Sequence, residues 1–159
     1  MPVNRCTSDS GAYSAAACSV SASAGSTAWN VAAKTAETGS YPFDLDAAMA
    51  PPEVDLRPAV RAAVEDYVAG AGAGAISSRF HNTLARAAGA IVRQAIERVG
   101  DLPVVLTGGC FQNALLAERI LEELGPRNVF VHRRVPPGDG GLALGQAVVA
   151  AARARSGGF

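Results

Sequence analysis

Pro103-Val-Val-Leu-Thr-Gly-Gly-Cys-Phe-Gln-Asn113 is the stretch whose reading decides the fold class. The apolar run Pro103 to Leu106 reads as a short buried strand that stops at Gly108-Gly109, where the chain turns. From Gln112 to Leu124 the apolar residues Leu115, Leu116, Ile120, Leu121 and Leu124 recur at helical spacing, with Glu118, Arg119, Glu122 and Glu123 between them. The glycines therefore sit at a strand-to-helix junction. Glycine accepts positive φ and lets backbone approach a ligand, while the free N–H groups at a helix start favour an anion. The same spacing also fits a tight turn with no ligand, and Asn113 fits either an ordinary helix cap or a ligand contact.

A second unit repeats the logic. Asn128-Val-Phe-Val-His132 reads as a strand, Arg133 to Gly141 as a loop, and Leu142 to Arg155 as a helix rich in Ala, Val and Leu. Two strand–turn–helix units in succession predict an α/β fold with a short, mostly parallel sheet and packed helices. Asp139 lies among the glycines of the second loop; its carboxylate suits a divalent cation and equally suits a cap on the last helix. The basic cluster His132-Arg133-Arg134 beside it fits a phosphate contact or a solvated loop.

Upstream, the pattern predicts two more helices. The first opens at Leu56 with Asp55 as its cap and Pro58 in the first turn, runs to about Val68, and ends at the break Gly70-Ala-Gly-Ala-Gly74. The second, Ile76 to Val99, carries Phe80, Leu84, Ala88, Ile91, Ala95 and Val99 at intervals of three and four, a stripe expected to pack on the later strands. His81 lies on this helix and fits a metal or substrate ligand or a structural histidine. Tyr41-Pro-Phe-Asp-Leu45 is expected to anchor a turn through its two rings.

Composition bounds the rest. The 159 residues carry 14 basic and 14 acidic side chains, a zero formal net charge that gives no electrostatic footprint for nucleic acid. Cys6, Cys18 and Cys110 are an odd number without metal-ligand spacing, as expected of a cytoplasmic protein. Cys110, just past the glycine pair, fits either a reactive thiolate at a helix start or a small buried residue under the turn. No stretch approaches the roughly 18 apolar residues that a membrane span needs. Residues 1–40 contain no Leu, Ile or Phe and are dominated by Ala, Ser, Thr and Gly. They are expected to be poorly ordered, with short helices around Ala12 to Val20 and Trp29 to Ala36, distinct from a lobe formed by residues 41–159.

Phe80-His-Asn-Thr-Leu-Ala85, Gly108-Gly-Cys-Phe-Gln-Asn113, Arg133-Arg-Val-Pro-Pro-Gly-Asp-Gly-Gly141 and Ala143-Leu-Gly-Gln-Ala-Val148 resemble, in this order, the C-terminal end of the HypF family of hydrogenase-maturation carbamoyltransferases. The resemblance covers roughly residues 41 to 155. It implies an enzyme that uses carbamoyl phosphate and ATP to form a carbamoyl-adenylate. The carbamoyl group then passes to the C-terminal cysteine of an acceptor protein, on the way to the cyanide ligands of nickel–iron hydrogenase. It also implies part of an actin-like, ribonuclease-H-like lobe, similar to the universal tRNA threonylcarbamoyl-adenosine proteins. Residue by residue, it places nucleotide contacts at Gly108, Gly109 and Asn113 and a divalent metal (Zn, Fe or Mg) at Asp139, with Gly140, Gly141 and His81 as neighbours.

Two departures qualify that transfer. Gly138 stands where the family usually has Asn, which predicts a looser loop around Asp139. The family's His-x-x-x-His metal motif, zinc-finger cysteines and adenylate-forming domain are absent, so this stretch is expected to supply half of an active site. The other half would come from a missing N-terminal portion or a split partner chain. The competing readings are a catalytically silent remnant or binding module and a related small-molecule O-carbamoyltransferase. A homodimer through the exposed side of an incomplete lobe is a further expectation.

Overall fold

A computed structural model of the chain describes residues 37–49 and 51–157. The helices expected around Ala12 to Val20 and Trp29 to Ala36, and Cys6 and Cys18, lie outside the described residues. In chain order the elements are β1 (Asp44–Asp46), β2 (Glu53–Asp55), α1 (Arg57–Val68), α2 (Ala73–Val99), β3 (Val104–Leu106), α3 (Ala114–Leu124), β4 (Val129–Val131) and α4 (Leu142–Arg155). Short 3-10 turns precede α3 (Gly109–Gln112) and α4 (Asp139–Gly141).

The expected α/β arrangement is present, with one change in the sheet. β3 and β4 pair in parallel, Val104 opposite Val129 and Leu106 opposite Val131, whereas β1 and β2 form a separate antiparallel pair. Alternation along the parallel pair sends Leu106 and Val129 into a core with Ala85 of α2 and Leu116, Ile120, Leu121 and Leu124 of α3. On the opposite face Val105 is 60% exposed and its partner Phe130 is half-buried. The helices α2 and α3 approach closely at Gly89, where a Cβ would lie 2.6 Å from Cγ of Glu123.

The stripe on α2 buries less than its periodicity predicts. Leu84 and Ala88 pack on the core of β3, β4 and α3, and Phe80 joins a second cluster with Tyr41, Ala59 and Ile76. Ile91, Ala95 and Val99, farther along, are exposed, although Val92 still packs on the core and Arg98 donates to the Met49 and Ala47 carbonyls. The helix also begins earlier than expected, at Ala73, so that Ala73 and Gly74 belong to it and the break is confined to Gly70 through Gly72. In α1 the N-cap position falls on Leu56, yet Asp55 Oδ1 still accepts the Arg57 N–H at 2.9 Å. The apolar helix α4 buries none of its residues, and Leu142, Leu144, Val148 and Val149 are all exposed. No described helix is long and apolar enough to cross a membrane.

The first described segment is strapped onto α2 by polar contacts. Thr83 Oγ1 accepts the Tyr41 N–H at 2.8 Å, and Asn82 Nδ2 donates to the carbonyls of Glu37 and Gly39 at 3.1 and 2.8 Å. Arg79 bridges Glu37 and Asp66 at 3.0 and 2.6 Å, while the Tyr41 hydroxyl donates to Asp66 at 2.7 Å. Burial, then the Asp66 carboxylate that accepts its proton, pushes Tyr41 up to about 12 from 10.0. The carboxyls of Asp66 and Glu37 are held below their ordinary values, that of Asp66 by the Tyr41 and Arg79 hydrogen bonds and that of Glu37 by the Gly39 N–H and then Arg79.

Two outcomes follow for Tyr41. Urea denaturation of Tyr41→Phe at neutral pH is expected to show a loss of about 1 kcal/mol, one buried hydroxyl bond. Because the folded state holds this proton more tightly than the unfolded chain, the advantage of the wild type is complete below pH 10 and disappears as the pH rises toward 12. Equal unfolding curves for the two chains at neutral pH would remove the strap from the account.

Candidate functional site

The parallel pairing of β3 and β4 carries both strands to the same edge, so the turn after Leu106 and the loop after Val131 leave side by side. They bond directly: the Gly108 N–H donates to the Pro137 carbonyl at 2.7 Å. Gly108 adopts φ +112, a conformation that a side chain would strain. Thr107 Oγ1 lies 3.0 Å from Nε2 of His132, at the start of the second loop. Two stretches separated by about two dozen residues thus form one surface at the carboxyl ends of the strands, where ligands of open α/β sheets bind.

Gly138 holds that surface together. A Cβ there would lie 2.8 Å from Nε2 of Gln112 and 3.2 Å from Cα of Gly109. The missing side chain lets the loop lie against the glycine turn. Gly140 and Gly141 serve the loop's own packing, since a Cβ on them would meet Pro136 at 3.2 and 2.8 Å respectively.

The first turn differs from a bare phosphate cradle. A 3-10 turn, Gly109–Gln112, separates the glycines from α3, and the Gly108 N–H is committed to Pro137. Gly109 is exposed, and a Cβ added there would meet nothing within 4 Å, so its backbone stays approachable. Cys110 is exposed on this turn instead of filling space beneath it.

Asn113 caps α3: its Oδ1 accepts the Leu116 N–H at 3.1 Å. Its Nδ2 lies 2.9 Å from Nε2 of His81, and Nδ1 of that histidine lies 2.7 Å from the Ser77 carbonyl. Both ring nitrogens of His81 are engaged and the side chain is 7% exposed, so the histidine supports Asn113 and has no nitrogen open to a metal. Helical position revealed His81 but not this contact, because the two residues are 32 apart in sequence.

Asp139 is exposed at the start of the second 3-10 turn. It caps neither that turn nor α4, both of which lack a side-chain cap. Among the described residues no group of three or more His, Cys, Asp and Glu side chains could hold a metal ion, so Asp139 belongs to no such cluster. The loop's Arg133 and Arg134 are also exposed. The two loops and the start of α3 thus bring together approachable backbone at Gly109, Asn113 and the exposed carboxylate of Asp139.

Gly138→Ala tests the contact between the two loops. The added methyl is expected to force them apart, cost about 1 kcal/mol as overpacking does, and speed hydrogen exchange at the Gly108 amide. Unchanged exchange at that amide would show that the loops are not held in this way.

Comparison with known proteins bears directly on this arrangement. Residues 9–146 match the family model described as carbamoyltransferase, Kae1-like domain, second subdomain, a match that reaches back into the Ala/Ser-rich stretch. The chain is 44% identical over 81 residues to carbamoyltransferase HypF of Rhodobacter capsulatus, covering 51% of this chain and 11% of that protein. It is 39% identical over 103 residues to carbamoyltransferase HypF2 of Cupriavidus necator, covering 64% of this chain and 12% of that protein. Its structure is similar to that of full-length HypF in the phosphate- and nucleotide-bound form, with a TM-score of 0.71 and 31% identity over 77% of this chain and 16% of that one. This chain therefore spans only a small part of these relatives' length. Family match, sequence identity and structure agree: the chain belongs to the HypF carbamoyltransferase family and corresponds to its C-terminal part.

Proposed function

We propose that this chain is the C-terminal portion of a HypF-type carbamoyltransferase and that it contributes part of a nucleotide site in an actin-like lobe. The observation that carries the reading is the meeting of the Gly108-Gly109 turn with the Pro136 to Gly141 loop at one edge of the parallel strands. The solved relative in a phosphate- and nucleotide-bound form supports it. In this reading Gly109 offers backbone close to the phosphates, Gly108 shapes the turn, and Asn113 donates from its amide. Arg133 and Arg134 add positive potential at the rim.

The reaction of the whole enzyme would use carbamoyl phosphate and ATP, pass through a carbamoyl-adenylate, and deliver the carbamoyl group to the C-terminal cysteine of an acceptor in hydrogenase maturation. ATP supplies the activating adenylyl group. The residues of this chain orient and neutralise; none of them is placed as nucleophile or general base. A divalent metal is not supported by the donor set seen among the described residues, and Asp139 could serve one only with ligands from elsewhere. Little or no transfer activity is expected from this chain without the rest of the enzyme, whose contact with it would also cover the exposed apolar residues of α4.

Calorimetric titration of ATP with Mg²⁺ into the full chain tests the reading. Weak, measurable binding is expected, with Asn113→Ala reducing affinity about tenfold, the worth of one hydrogen bond to a charged group. Asp139→Ala is expected to matter only when Mg²⁺ is present. A folded chain that takes up no ATP at millimolar concentration would leave a silent remnant as the better description.

A further inference from the structure

We infer that His81 is a positioning residue for Asn113, fixing the amide so that the group offered to a ligand at the end of β3 is an N–H donor. The inference rests on the nucleotide reading of Asn113 proposed above.

The argument begins at the buried end of the imidazole. A carbonyl oxygen can only accept, so the 2.7 Å contact with Ser77 requires the proton on Nδ1 of His81. In the neutral ring Nε2 is then a bare acceptor, and at 2.9 Å its partner must be the Asn113 nitrogen. The other end of the same amide agrees, because Oδ1 accepts the Leu116 N–H at 3.1 Å. Turning the amide over would set oxygen against the bare Nε2 and nitrogen against the Leu116 N–H, losing both bonds together. The orientation is thus determined from two independent sides.

Chemistry at the surface follows from that orientation. One N–H of Nδ2 is spent on His81, and the other is the donor that Asn113 offers. Its natural partner is an oxygen acceptor, a phosphoryl or ribose oxygen of a nucleotide. Asn113 fixed by its cap alone would keep the oxygen placed but leave the nitrogen free to swing with the side chain. The second bond removes that freedom before the ligand arrives, so less ordering is left for binding to do. His81 itself is buried and touches no ligand; it acts only through Asn113.

The test uses the full chain labelled with ¹⁵N and two substitutions. His81→Gln keeps an acceptor oxygen where Nε2 stood, whereas His81→Phe keeps the ring volume and removes the acceptor; His81→Leu stands in should the Phe variant fail to fold. NMR of the wild type is expected to show the Nδ1–H tautomer. In titrations with ATP and Mg²⁺, His81→Gln is expected to bind within about threefold of wild type and His81→Phe about tenfold more weakly. Hydrogen exchange at the Leu116 amide should be faster in His81→Phe and unchanged in His81→Gln.

An Nε2–H tautomer, or a His81→Phe chain that binds and exchanges like wild type, overturns the inference. Should Asn113→Ala bind ATP as well as wild type, the nucleotide reading fails separately. The control of Asn113 by His81 is then decided by exchange at Leu116, with faster exchange in His81→Phe alone upholding it and equal exchange in both variants overturning it.

Discussion

The parallel register of β3 and β4 is the constraint on which the rest of the structure depends. Strands of three residues gain little from their own ladder, since each backbone hydrogen bond contributes about 1 kcal/mol net. Burial decides their stability: Leu106, Leu116, Ile120, Leu121, Leu124 and Val129 are withdrawn from water, each contributing roughly 1.5–3 kcal/mol. A parallel pair needs a crossover, and the only chain between the strands is the 3-10 turn and α3. Once α3 lies on one face, both loops must emerge at the same edge. The site is therefore a consequence of register before it is a consequence of any particular ligand residue.

Within that edge, small size and fixed polarity do different work. Gly138 lets the second loop lie against the backbone of Gly109, where a side chain would hold the two apart, and Gly108 supplies the positive φ of the turn. Asn113 and His81 then impose direction on a surface that glycine leaves approachable. Asp139 adds an exposed carboxylate to the same edge, outside any cluster of three or more His, Cys, Asp and Glu side chains among the described residues.

Much of the fold was legible in the sequence. The runs Pro103 to Leu106 and Asn128 to His132, and the helical spacing after each, located β3, α3, β4 and α4 closely, because local periodicity reports local conformation. What periodicity cannot report is which element covers an apolar face. Ile91, Ala95 and Val99 continue the pattern of α2, and Leu142 to Val149 continue that of α4, yet in both places these residues stay exposed among the described residues. The site was legible in part for the same reason. The glycine turns announced themselves through local spacing, whereas the contacts of His81 with Asn113 and of Asn82 with Gly39 join residues 32 and 43 apart and leave no local trace. The close approach at Gly138 left no such trace either, because a sequence shows a missing side chain but not the backbone that occupies its place.

The segment Arg79-Phe-His-Asn-Thr83 has a further consequence for how this chain can change over generations. Arg79 reaches Asp66 and Glu37, Phe80 the cluster of Tyr41 and Ala59, His81 the Asn113 amide, Asn82 the Glu37 and Gly39 carbonyls, and Thr83 the Tyr41 backbone. At about 100° per residue, five consecutive positions sweep the whole circumference of the helix. Gaining or losing one codon inside this run would turn part of it by about 100° and shift it by about 1.5 Å, setting its partners out of step with one another. The spacing between these side chains therefore acts as a unit, and the far end of α2 adds its own tie, Arg98 donating to the Met49 and Ala47 carbonyls.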